Sequence, residues 1–100
     1  MELRPGLKLK SSVCSTEIIV VSGSGDVEMT CGGVPMVEPS ADPVAGEAVE
    51  GLTAGTLLGK RYANADGTLE VLCTKPGDGS IGIGSVALDI KQVTALPASD

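Results

Sequence analysis

Histidine is missing from this 100-residue chain. Its absence removes the commonest general base, the Ser-His-Asp and Cys-His nucleophile systems, and the imidazole ligands of catalytic zinc. Trp and Phe are missing too, and Tyr62 is the one aromatic residue. Any core must be assembled from Val, Leu, Ile, Ala, Met and Cys, so it is expected to be thin, with stability modest or shared with a partner. No stretch approaches the roughly 20 apolar residues of a membrane span. MELRPGLKLK at the start has no apolar signal-peptide core, so the expected compartment is the cytoplasm. Cations are few: 7 Lys and Arg against 13 Asp and Glu give a net charge of −6. That balance argues against nucleic acid and against an anionic membrane surface as partners. The 3 cysteines are an odd number and include no C-x-x-C pair, which fits a reducing compartment better than a disulfide framework. The 14 glycines and 6 prolines are scattered, which excludes collagen.

What is present reads as β-structure. LKLKSSV (residues 7–13) alternates Leu7 and Leu9 against Lys8 and Lys10. TEIIVVS (16–22) is β-branched and continuous, the pattern of a central strand. GSGD (23–26) has the composition of a hairpin turn. DVEMTC then places Val27, Met29 and Cys31 inward and Glu28 and Thr30 outward, and Pro35 in GGVPMV suits a sheet edge. Residues 38–55 differ in character: Glu38, Asp42, Glu47 and Glu50 occur with no basic residue, forming an acidic connector. Pro43 and Gly51 would keep any helical turn around Val44 to Val49 short.

The second half returns to strands. TLLGKRYA leads into NADG, whose Asp66-Gly67 pair is a strong hairpin signal. TLEVLCT sets Leu69, Val71 and Cys73 against Glu70 and Leu72. KPGDG reads as a turn and SIGIG as the strand that pairs back. SVALDIKQV supplies one or two short strands, and TALPASD is a polar tail.

Residues 16–37 laid over 68–89 align without a gap: Thr16 meets Thr68, Gly25 meets Gly77, Gly32 meets Gly84 and Val34 meets Val86, and Lys8 also falls on Lys60. The same order of strand, turn, strand, glycine and short strand recurs, as after duplication of one unit. The expected fold is therefore all-β, a small barrel or sandwich of seven to nine short strands built from two related β-hairpin units. These make one domain: a first unit over 1–37, the acidic linker over 38–55 and a second unit over 56–96.

Three groups are candidate sites. Gly77, Gly79 and Gly82 have the spacing of a dinucleotide-binding G-x-G-x-x-G, but that loop needs a helix after it, and SIGIGSVALDI is β-branched and glycine-interrupted. The repeat assigns Gly77 to the turn that Gly25 occupies, so these glycines are expected in a hairpin. Cys14, Cys31 and Cys73 form the second group. Cys31 and Cys73 continue inward faces, where a free Cys packs as a small hydrophobe. The alternative is a thiolate site for zinc, iron or redox chemistry, with Gly32 and Gly33 letting another group approach Cys31 closely. Without His, a reactive thiolate here would depend on Lys or Arg. Lys8, Lys10, Lys60 and Arg61 form the third group, either one basic face for an anionic ligand or acidic partner, or a solvated face that protects a sheet edge. The carboxylates offer no catalytic pair; Asp26 and Asp78 stand beside turns.

LGKRY, LEVLCTKPGDGSIGIG, VCSTEIIVV and CGGVPM together resemble a group of small actinobacterial proteins of similar length. The resemblance implies a cytoplasmic bacterial protein and carries no activity or site residues. Without a catalytic constellation or a cofactor site, the expected function is non-enzymatic: a binding or accessory module that docks on a larger protein or self-associates. The alternative is a metal-binding or redox protein using the three cysteines.

Overall fold

Alternation builds the largest sheet. In the computed structural model, which describes residues 2–90, Leu7 and Leu9 are buried while Lys8 is exposed. Strand β2 (Lys8–Lys10) lies at the edge of this sheet, and β3 (Glu17–Ser22) lies inside it, burying Ile18 and Val20 and leaving Ile19 and Val21 half-buried. One-faced burial of this kind is what an antiparallel sheet produces. The order is β11-β7-β8-β3-β2, with β7 (Arg61–Ala63), β8 (Glu70–Lys75) and β11 (Asp89–Ile90). The hairpin expected at Asp66-Gly67 joins β7 to β8, with Ala63 opposite Glu70.

A second sheet has the order β10-β9-β5-β6, from β5 (Met29–Cys31), β6 (Val34–Pro35), β9 (Ile81–Ile83) and β10 (Val86–Ala87). Pro35 stands on its edge strand, as expected. The two short strands β1 (Glu2–Leu3) and β4 (Gly25–Asp26) pair separately. Met29, Cys31, Ile81, Ile18, Val20, Val71 and Cys73 meet in one buried cluster with Leu9, Tyr62 and Met36. The described residues are all-β, in three sheets and with no helix.

The repeat is visible in this topology. β5 and β6 occupy the positions that the alignment gives to β9 and β10, and each pair closes over a two-residue loop whose first residue, Gly32 or Gly84, has φ of 65° or 58°. β3 pairs with β8 and β5 with β9, so each sheet is centred on the contact between the two units.

Several expectations are corrected. Residues 23–28 and 76–80 are not hairpin turns. At each, the chain leaves the five-stranded sheet for the four-stranded one, so β3 and β8 pair with each other rather than with β5 and β9. There are eleven strands among the described residues, not seven to nine, because several are two-residue pieces set between corners. Thr30 and Glu70 are buried rather than outward. The Thr30 hydroxyl donates to the Gly84 carbonyl at 2.7 Å, and Glu70 accepts from Arg61 at 2.9 Å, so both are satisfied inside. No helical turn forms over 44–49, and the connector is exposed along most of its length. No helix of the described residues is long and apolar enough to cross a membrane. Residues 91–96 of the second unit, and the polar tail, lie outside the described residues.

Candidate thiol site

Three segments converge at one end of the four-stranded sheet. The first is the β2–β3 loop. Its backbone closes through the Ser11 amide, which donates to the Thr16 carbonyl at 2.8 Å. Inside the loop the Ser11 Oγ accepts the amides of Val13 and Cys14, both at 3.1 Å. This hydroxyl-capped turn is a local solution that Ser adopts readily. It turns the Cys14 side chain toward β5. The second segment is the end of β5, where Cys31 is 0% exposed. The two sulfurs stand 3.6 Å apart.

The third segment is the sheet-to-sheet crossing at 76–80. Here Gly77 and Gly79 are required for space. A Cβ on Gly79 would lie 2.7 Å from the Cys31 Sγ and 3.4 Å from the Cys14 Sγ. A Cβ on Gly77 would lie 2.6 Å from the Thr16 backbone nitrogen and 2.9 Å from the Cys14 Sγ. The glycine-spaced stretch thus makes room for two thiols.

The hydrogen bonds decide which thiol ionises. As a thiol Cys14 donates to the Ser11 hydroxyl oxygen, 3.3 Å away; once the sulfur is ionised, the hydroxyl turns its own proton toward it. The Thr16 hydroxyl lies 3.3 Å from the same sulfur, and the Gly79 amide donates to it at 3.4 Å. Burial pushes the Cys14 thiol up, but the Ser11 and Thr16 side chains and the Thr16 and Gly79 backbone outweigh it and bring the thiol down to about 6. Burial also dominates at Cys31, where the neighbouring Cys14 charge adds to it, and this thiol is pushed up to about 11. The site therefore has one ionised and one neutral sulfur in contact at neutral pH. No Lys or Arg contributes to lowering the Cys14 thiol, contrary to the expectation from sequence; hydroxyls and amides do.

The acidic connector is tied to all three segments. The Val44 amide donates to the Ser12 hydroxyl at 2.9 Å and the Val49 amide to the Gly32 carbonyl at 2.7 Å. The Ala54 amide reaches the Ser80 hydroxyl at 3.0 Å, and just past the connector the Thr56 hydroxyl donates to the Gly79 carbonyl at 2.6 Å. Ala48, Val49 and Leu52 cover Gly32 and Gly33, so the approach to Cys31 foreseen from its two glycines is used by the connector.

Cys73 does not join the pair. It is buried in β8, where its thiol donates to the Lys75 carbonyl at 3.2 Å and burial holds it above its ordinary range. Among the described residues no group of three or more Cys, Asp or Glu side chains is arranged to hold a metal ion. Lys8 and Lys10 lie on β2 and Arg61 on β7, with β3 and β8 between them, about 14 Å across the sheet. Arg61 is engaged by Glu70, and Lys60 is exposed just before β7. Sequence reasoning missed Ser11, Thr16 and Gly79 as parts of the site; the signal was SSVCST, a cysteine set among hydroxyls. No family model matches this chain, and no curated protein or solved structure is significantly similar to it.

Proposed function

We propose that the protein is a thiol–disulfide redox module that cycles between the Cys14/Cys31 dithiol and the disulfide these residues form. The observation that carries this reading is the 3.6 Å contact between the sulfur of a hydrogen-bonded, part-exposed Cys14 and that of a wholly buried Cys31. With a small disulfide as oxidant, the Cys14 thiolate attacks one sulfur, a mixed disulfide forms and one thiolate leaves. Cys31 then releases its proton to the departed thiolate and attacks the Cys14 sulfur, expelling the second thiolate. Two protein thiols are oxidised, and one small disulfide becomes two thiols.

The test uses the full chain carrying Cys73→Ser, reduced and then equilibrated with uncharged 2-hydroxyethyl disulfide. Peptide mapping after alkylation should find Cys14 linked to Cys31 with the loss of two hydrogens, reversed by dithiothreitol. Protein whose two thiols can both still be alkylated on unfolding, whatever the oxidant ratio it was equilibrated at, would end this reading.

A second reading, a small module that docks on a second copy of itself, is favoured by Leu57 and Leu58, which are 54% and 62% exposed. They stand beside a cleft of about 340 Å³ lined by Leu57, Tyr62, Leu88 and Ile90. Sedimentation velocity should then show a concentration-dependent dimer that disappears when both leucines are changed to Ser. A monomer at every concentration removes the second reading. The pairing of β3 with β8 and of β5 with β9 further supports reading the two larger sheets as a small sandwich formed by duplication of one unit.

A further inference from the structure

We infer that Cys14 reduces small uncharged hydroperoxides, with Cys31 as the thiol that resolves the product. The inference rests on the dithiol reading above and names the oxidant that the site fits. Three features of the site lead to it.

The first is access. Cys31 is fully buried, whereas Cys14 keeps partial exposure, so Cys14 is the thiol that an oxidant meets first. A two-oxygen oxidant needs little room there. The second is charge. The connector that covers the Cys31 turn carries Glu47 and Glu50 on either side of Ala48 and Val49, no cation stands among the groups on Cys14, and the whole chain is at −6. A negative balance of this kind disfavours anionic oxidants, anionic disulfides included, whereas a neutral hydroperoxide is indifferent to it. The third is the fate of the product. A sulfenic acid on Cys14 forms beside a thiol already 3.6 Å away, so resolution needs no rearrangement of the fold.

The step balances. The Cys14 thiolate attacks one peroxide oxygen, the S–O bond forms and the O–O bond breaks, and the leaving oxygen takes a proton from water. Cys14 is oxidised to the sulfenic acid, and the hydroperoxide is reduced to an alcohol or water. Cys31 then loses its proton and attacks the Cys14 sulfur; the S–S bond forms, the S–O bond breaks, and hydroxide departs as water with that proton. The Ser11 hydroxyl, the Thr16 hydroxyl and the Gly79 amide hold the negative sulfur until its charge moves to the leaving oxygen.

The probe is hydrogen peroxide, added to the reduced full chain carrying Cys73→Ser. One peroxide should be consumed for each Cys14–Cys31 disulfide formed, at least about tenfold faster than peroxide oxidises N-acetylcysteine at the same mildly acidic pH. In the additional Cys31→Ser variant, a cyclic dione should label Cys14 as its sulfenic acid. The stoichiometry and rate are read with both Cys14 and Cys31 in place, so they decide the matter even where Cys31→Ser fails to fold. A rate no greater than that of N-acetylcysteine overturns the hydroperoxide inference. If 2-hydroxyethyl disulfide still closes the pair in that case, the dithiol reading survives; if it does not, both fall.

Discussion

Gly77→Ala loses about 3 kcal/mol or more of folding stability, a large part of what a domain of this size possesses. The reason lies in what the new methyl group meets. Its nearest obstacles include the Thr16 backbone nitrogen at 2.6 Å, and Thr16 is itself buried and tied to Ser11 at the entry to β3. A flexible side chain could turn away, but the start of a central strand cannot. The φ of Gly77 lies outside the left-handed region, so the cost is one of space and not of backbone conformation. Thermal or denaturant unfolding of the reduced protein measures it directly. A loss below about 1 kcal/mol would show that 76–80 does not press on β3 as described.

Gly79→Ala serves as the internal comparison. Its closest obstacle is the Cys31 sulfur at 2.7 Å, a short side chain that can rotate, although the Gly32 amide at 3.1 Å limits the space. This variant folds more readily than Gly77→Ala and wedges the two sulfurs apart. The contrast separates the two roles of the crossing loop. Gly77 makes room for the start of β3, and Gly79 makes room for the two thiols.

The pattern of strands was largely legible because alternation reports one-faced burial. β2, β3, β8 and the Asp66-Gly67 hairpin stand where Leu9, Ile18, Val20 and Val71 put them. The corners were not legible. A hairpin turn and a crossing between two sheets draw on the same residues, Gly, Pro and Asp, and differ only in which strand receives the chain afterwards. That choice is made by β5 and β9 pairing with each other, a contact between distant segments. Reading residues 76–80 as a hairpin therefore hid the fact that they cross over Cys14 and Cys31.

One sign of the site was present in the repeat. Where the first unit has Cys31, the second has Ile83, and where the second has Gly79, the first has Val27. Val27 and Ile83 simply pack on the core. The two units thus answer the same packing problem twice, once with aliphatic side chains and once with a thiol and a glycine that leaves it room. Convergence of Cys14 on Cys31 needed the fold, because the β2–β3 loop and the end of β5 belong to different sheets.

Ser11→Ala raises the pH at which Cys14 becomes reactive, and it does so through a single oxygen. In the native protein, alkylation of Cys14 should reach half its limiting rate near pH 6, because the thiol is lowered from its ordinary 9.0 to about 6. Cys31, held at about 11, stays silent across that range. The sign of the linked stability follows. Between about 6 and 9 the folded chain binds fewer protons at Cys14 than the unfolded chain does, so this contribution grows with pH, is complete above 9.0, and is lost as pH falls through about 6. Cys31 acts in reverse: its contribution is complete below 9.0 and disappears between 9.0 and about 11. Removing the Ser11 hydroxyl deletes a donor to the Cys14 sulfur and leaves the Val13 and Cys14 amides without their acceptor. The midpoint of alkylation should move up by about one pH unit or more, with a stability loss of about 1–3 kcal/mol. Ser11→Thr keeps the oxygen and should restore both. An alkylation midpoint that stays near pH 6 in Ser11→Ala would mean that the hydroxyl serves the turn alone, and that Thr16 and Gly79 hold the thiolate without it.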